Sequence, residues 1–378
     1  MLSSNRKISL RQLQILIILE AFGMGVVMLP RRAAEYAARD GWLVIIGIAA
    51  LACIGAALIT AAMRPSSAFL EYTAKLLGRP AAKLLATGLA VKLLLNAGLQ
   101  TRLFALLIRQ SLLNRTPMAV VTGLTVAAAA YTASKGIETR ARVAEILFIL
   151  IMPLMLLLFI CAFFTSDTSN LLPVFTVKPA RIITGAARLG YAFTGLECLL
   201  LVFPFIQRPK DTRRAVIFAV SAAGAAFLLI TLAAIASFGP DGLLTQSAPV
   251  LRMMDMLNIP GGFTERQDAL MFSFWIITVF AGLNMYVFFS ALLVKGLARK
   301  GKNGGWVIAC ATAVFALACL PLDAGAVEVY MDKLYFTFGV FYIFILPVIL
   351  IAAAKLRGVN ETPDTGDNAF TEQSGAAL

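Results

Sequence analysis

Three ionisable side chains sit deep in apolar sequence: Glu20, Lys92 and Glu197. A charge at the centre of a bilayer costs roughly 2.5–3.5 kcal/mol on insertion scales, so each must face protein or water. Glu20 and Glu197 are the acids available to Lys92. The sequence leaves three uses for the lysine open: a fixed ion pair that positions neighbouring helices, a proton- or cation-responsive centre replacing a coupling ion, or a stem that snorkels to the interface. The two acids lie beside glycine-rich interruptions. Glu20 precedes Gly23-Met24-Gly25, with Pro30 soon after, inside the apolar run Leu10 to Asp40. Glu197 ends Leu189-Gly190-Tyr191-Ala192-Phe193-Thr194-Gly195-Leu196-Glu197-Cys198. Such glycines open a helix, and in lipid an opening is tolerated only where protein or a cavity satisfies the freed backbone. One side of a break offers N–H groups and partial positive charge, the other C=O groups and partial negative charge. A small zwitterion matches both. Gly23, Met24 and Gly25 are assigned to a carboxylate, and the carbonyls around Ala192, Phe193 and Thr194, next to Gly195, to an ammonium. A glycine pair that merely packs is the competing reading for the first break.

These residues need a membrane scaffold. The chain has 378 residues, is 60% hydrophobic and 14% charged, and has a mean hydropathy of +0.85; soluble proteins carry about 25% charged residues. Ten spans are expected, at 10–37, 41–63, 81–113, 117–134, 141–165, 182–207, 212–238, 265–295, 304–321 and 328–354. With that count the Lys- and Arg-rich connections, among them the one holding Lys135, Arg140 and Arg142, alternate onto one face, which puts both termini in the cytoplasm. The first span reads as retained, not as a cleaved signal. The net charge of +13 is then a loop charge beside anionic lipid, not a nucleic-acid surface. The broken spans are the first of each set of five, the arrangement of an inverted repeat with a site at the midplane. The reading is one transmembrane domain over 1–357, with repeats at about 9–165 and 181–355, and a disordered polar tail over 358–378. An amphipathic helix is expected within Ser66 to Pro80, and a helical cap at Pro249 to Met254 in an outer loop starting at Gly239.

Other polar residues extend the site. Asn96 and Gln100 lie beyond Lys92 on the same span and are candidate lining, as is Tyr286. Tyr191, Phe193 and Tyr286 are either gates over a small ligand or packing aromatics. Ser273, Thr278 and Asn284 either form a sodium site or bond their own backbone. Histidine is absent, which removes Ser-His-Asp triads and histidine metal sites. The five cysteines form no CxxC pair and read as small apolar residues within spans. No metal, cofactor or enzymatic activity is expected.

The two breaks resemble those of the amino acid–polyamine–organocation transporter superfamily. More closely, the chain is similar to the B subunit of the spore germinant receptors, through Ile8-Ser9-x-Arg11-Gln12, Leu29-Pro30-Arg31, Asp40-Gly41-Trp42, Asn170-Leu171-Leu172-Pro173-Val174, Tyr191-Ala192-Phe193-Thr194-Gly195-Leu196-Glu197, Pro204-Phe205-Ile206, and Glu265-Arg266-x-Asp268-Ala269 leading to Trp275. Gln267 departs from the aliphatic residue expected there. The resemblance implies an all-α LeuT-like fold with helices 1 and 6 broken. It also implies a complex with an A subunit and a lipoprotein C subunit in the spore inner membrane, and sensing of a small germinant such as an amino acid. A proton- or cation-coupled amino acid permease is the alternative.

Overall fold

The computed structural model describes residues 7–24, 26–63, 68–256, 267–298 and 303–357. Gly25, Glu265, Arg266 and the expected tail lie outside the described residues, and of the Met24, Gln267, Asp268 and Ala269 side chains nothing is described.

The chain enters through a reciprocal cap. Ser9 N–H donates to Gln12 Oε1 at 3.0 Å and Gln12 N–H to Ser9 Oγ at 3.2 Å, starting α1 (Leu10–Met24). Just before it, Ile8 N–H donates to the Phe205 carbonyl at 2.7 Å and Gln207 N–H to the Ile8 carbonyl at 3.1 Å. Two motif stretches far apart in sequence are thus one bridge. The helix resumes as α2 (Leu29–Ala37), so the first break is longer than its glycines. Pro30 starts the new helix, where its missing N–H costs nothing, and does not end the old one.

A reversal at Ala38 (φ 45°) leads into α3 (Gly41–Ala62). A Cβ on Gly41 would lie 3.1 Å from the Ala33 carbonyl carbon. Eight residues of straight helix span about 12 Å, so α2 and α3 fold back on each other. Asp40, fully buried, holds the reversal. Its carboxylate accepts from the N–H groups of Phe175 and Thr176 at 2.7 Å and of Val177 at 3.1 Å, while Trp42 stacks edge-on against Phe175.

The expected amphipathic piece is α4 (Phe69–Leu77), with Phe69, Tyr72 and Leu76 buried. Then follow α5 (Arg79–Ser111), α6 (Met118–Ser134), α7 (Ile137–Thr165) and α8 (Pro179–Arg188). The sixth span continues as 3₁₀ turns at Leu189–Phe193 and Leu196–Cys198, then α9 (Leu199–Val202). Helix α10 (Thr212–Thr245) carries on past the expected start of the outer loop. It kinks at Gly239 (φ 67°) before Pro240, and the Asn170 side chain donates to the Ala236 carbonyl there at 2.9 Å. The expected helical cap is α11 (Pro249–Asp255). The chain ends with α12 (Gln267–Ala298), α13 (Asn303–Ala318), α14 (Ala324–Leu334), two π turns and α15 (Leu346–Leu356).

Every expected span falls on helix. Among the described residues, six stretches can cross a membrane by length and apolar composition, or seven with the pair bent by 53° at the second break. Ten is reached only by separating α2 from α3, where the chain reverses, and by counting the shorter α6 and α13. Helix α5 packs on α12, and α3 on α10. In the expected numbering these are the third with the eighth span and the second with the seventh. Two flanking assignments change. Helix α7 starts at Ile137, which places Arg140 inside it and buries it. Cys319 falls within the expected span 304–321 but lies just past the end of α13 and is exposed.

Candidate functional site

The second break has a definite backbone cause. Thr194 is extended (φ −62°, ψ 138°) and Gly195 is left-handed (φ 107°, ψ −18°), so the helix before them cannot continue into the turn after them. Glu197 closes the restart: its Oε2 accepts the Gly195 N–H at 3.1 Å. Its other oxygen accepts from Lys92, and neither side chain has any exposed area. The lysine therefore pairs with Glu197, not Glu20. Lys92 Nζ and Asn96 Nδ2, both on α5, also each donate to the Thr194 hydroxyl oxygen at 3.2 Å.

Glu20 has a different partner. The Tyr286 hydroxyl on α12 donates to its carboxyl and lies 3.3 Å from the Thr194 carbonyl. The Glu20 carboxyl also occupies the space a side chain on Gly195 would need. Glu20, Lys92, Asn96, Thr194, Gly195, Glu197 and Tyr286 thus form one buried network joining the first and sixth spans through α5 and α12. The Thr194 carbonyl, assigned to a ligand ammonium, already faces this tyrosine.

The first break has its own neighbours. The Trp275 indole N–H donates to the Gly23 carbonyl at 3.3 Å. Gln100, 1% exposed, lies against Gly23 and Gly282, with a Gly23 Cβ position 2.6 Å from its Nε2. Neither its amide nitrogen nor its oxygen has a hydrogen-bond partner. Among the expected lining residues, Gln100 is the one that keeps donor and acceptor capacity to offer. The Thr278 hydroxyl donates to its own helix at the Trp275 carbonyl, at 2.9 Å, and Asn284 donates to Thr132.

Tyr191 and Phe193 part company. Phe193 packs against Phe227 at 5.5 Å between ring centres, beside Ala192 in the same buried turn. Tyr191 is buried towards Arg32. That arginine pairs with Glu35 at 2.9 Å and, across to α14, with Glu328 at 3.4 Å and Asp332 at 3.5 Å. This link between the first and last spans is absent from the sequence reading, because Arg32 looks like an ordinary flanking charge.

On the opposite side of the breaks lies a narrow, mostly apolar recess. Its walls are α1 (Leu13, Leu16, Glu20), the start of α7 (Ile137, Arg140), the second break (Phe193, Gly195, Cys198) and α12 (Met285, Phe289). Gly23 and Gln100 are not on these walls.

Two interrupted helices held around a buried ion pair, with a recess reaching one break, define a membrane protein of the broken-helix fold class. The chain matches the family model described as "Spore germination protein" over residues 7–327 and belongs to that family. It is similar to spore germination protein YndE of Bacillus subtilis (strain 168), at 24% identity, covering 94% of this chain and 99% of that protein. Spore germination protein B2 of the same strain is 27% identical, over 89% of this chain and 93% of its own length. Spore germination protein GerLB of Bacillus cereus is 23% identical, over 95% and 98%. Among solved structures, MhsT in complex with L-phenylalanine aligns with a TM-score of 0.64 at 14% identity, over 90% of this chain and 97% of that one. The nucleobase-cation-symport-1 family transporter Mhp1 aligns with a TM-score of 0.65 at 16% identity, over 94% and 79%. These likenesses make the fold that of the LeuT-like transporters, and the protein a multi-pass membrane protein.

Proposed function

We propose that the protein is the germinant-sensing B subunit of a spore germinant receptor. It binds a small amino acid or similar ligand beside the two breaks and signals to an A subunit and a lipoprotein C subunit in the spore inner membrane. The observation that carries the reading is the contact of Glu20 with Gly195 and Tyr286, which ties both broken spans to one carboxyl. A ligand that displaces any member of that network changes how the half-helices sit, and a partner reads the change. The ligand carboxylate is assigned to the Gly23-Met24-Gly25 break, with Gln100 as an added polar contact, and its ammonium to the carbonyls of Ala192 to Thr194.

The reading includes ten crossings in two inverted sets of five, both termini in the cytoplasm, and residues 358–378 as a disordered tail on that side. The packing of α5 on α12 and of α3 on α10 supports the pairing of the two sets. No catalytic step belongs to it.

The experiment is a thermal-shift screen of the purified full-length protein against amino acids, sugars and nucleosides, repeated on Gly23→Leu. An amino acid that stabilises only the wild type supports the site; stabilisation by non-amino-acids alone sinks the carboxylate assignment. The alternative, a proton- or cation-coupled permease, is favoured by the solved transporters of this fold. Concentrative uptake by reconstituted protein, together with normal germination in a deletion strain, selects it.

A further inference from the structure

Arg140 has no place in the network above, yet it is more deeply enclosed than a flanking charge has reason to be. It sits in the first turn of α7 and is 4% exposed. Its Nε, Nη1 and Nη2 atoms all lack a hydrogen-bond partner. The acids nearest to it on α7 are engaged elsewhere: Glu138 with Arg142 at a surface pair, and Glu145 with Arg11 at 3.5 Å and Gln12 at 3.1 Å. The Phe288 ring packs on it, 4.9 Å from the guanidinium carbon to the ring centre, and covers a face of the cation rather than its in-plane N–H groups.

Buried polar groups are normally hydrogen-bonded, and a buried charge left alone is the costliest exception. The guanidinium lines two recesses. One reaches Glu20 and Gly195. The other is a small pocket shared with Thr132 and Asn284, whose Oδ1 also lacks a partner. We propose that Arg140 is the centre of an anion site on this side of the breaks, taking a small singly charged anion: chloride, or the carboxylate end of a small organic acid.

The chemistry of the walls narrows the class. A guanidinium presents a planar fork of donors with weak hydration, which suits carboxylate or halide. The space beside it is narrow and otherwise lined by Leu13, Leu16, Ile17, Leu199 and Met285, which offers nothing to a large or highly hydrated ion. Glu20, which also lines this recess, opposes a second negative charge. An anion held here touches α1, α7 and α12 at once, so its occupancy favours the arrangement in which those helices are closed around it.

The test uses the full-length protein in detergent micelles, with sodium chloride, formate, sulfate and gluconate at matched ionic strength. Chloride and formate raise the thermal midpoint saturably, and sulfate and gluconate do not. Arg140→Gln loses the selective rise and Arg140→Lys keeps a weaker one. Chlorine NMR line broadening on the wild type alone, displaced by formate, supplies a readout that needs no variant. L-alanine against L-alaninamide separates the sources: an Arg140-dependent shift from L-alanine only, with chloride competing, assigns the anion to an amino acid carboxylate. Equal salt responses in wild type and Arg140→Gln, or no broadening in the wild type, overturn the proposal and leave Arg140 to water. The site stands apart from the germinant reading: Arg140→Gln protein that loses the chloride response but still binds an amino acid separates the two.

Discussion

The Glu20 carboxyl occupies the position that a side chain on Gly195 would need, a direct contact between the two broken spans. Gly195 is fixed by two independent demands: a left-handed backbone at φ 107°, and the room that Glu20 occupies. Gly195→Ala should therefore destabilise by about 1–3 kcal/mol from backbone strain alone, with the steric conflict added. Gly195→Ala combined with Glu20→Ala removes the conflict and leaves the strain. The double variant should be more stable than the sum of the singles by about 1 kcal/mol or more, read from thermal midpoints of the four proteins. Strict additivity would mean the contact is incidental.

Gln100 makes the opposite prediction. Its amide is buried without a partner, so Gln100→Leu removes a group that stabilises nothing within the protein. The variant should be as stable as the wild type or up to about 1–2 kcal/mol more so. If the amide meets the ligand, the same variant loses most of the ligand-induced thermal shift. Unchanged ligand response in a more stable protein would remove Gln100 from the site.

The membrane class, the helical segments and both breaks were legible in the sequence because hydropathy and glycine placement depend on local composition. The network members were legible as types: Glu20, Lys92 and Glu197 stood out because charge is rare in apolar sequence. The pairing was not. Which acid meets Lys92 depends on the turn at Thr194-Gly195, which swings Glu197 back over its own Gly195 N–H. The Asp40-Gly41-Trp42 stretch was recognisable as a motif, but its purpose required seeing the 175–177 segment dock on it. Arg140 was not singled out, because one arginine among the loop charges Lys135, Arg140 and Arg142 looks the same whether it faces water or the interior. The extent of the first break was hidden too, since Pro30 reads equally as the end of one helix and the beginning of another.

Asp40 gives a prediction about the connection between α7 and α8. Its carboxylate accepts three backbone N–H groups and the Thr176 hydroxyl at 3.1 Å, joining the α2–α3 reversal to the connection between α7 and α8. Asp40→Asn replaces one acceptor oxygen by a donor that faces those N–H groups. The expected cost is about 2–3 kcal/mol, with faster proteolysis within residues 166–178 while the membrane helices stay protected. A protease map identical to wild type would show that the connection is held by Trp42 and Phe175 instead.

The last prediction concerns Lys92 and Glu197, which share a site with no exposed area on either side chain. A buried ion pair is weak evidence for stability, because desolvation of both charges offsets most of their attraction; breaking it from one side is a different matter. Lys92→Met leaves Glu197 with only the Gly195 N–H and should cost about 3–5 kcal/mol. Adding Glu197→Gln removes the stranded charge while keeping an acceptor for that N–H, so the double variant should recover much of the loss. Stability alone does not separate a strut from a responsive centre; function in the double variant does. If Lys92→Met/Glu197→Gln folds well and still supports ligand-triggered germination, the pair only positions the break at Thr194-Gly195. If it folds well, binds ligand and no longer triggers germination, the charges themselves carry the signal, and making or breaking this pair is part of the conformational step.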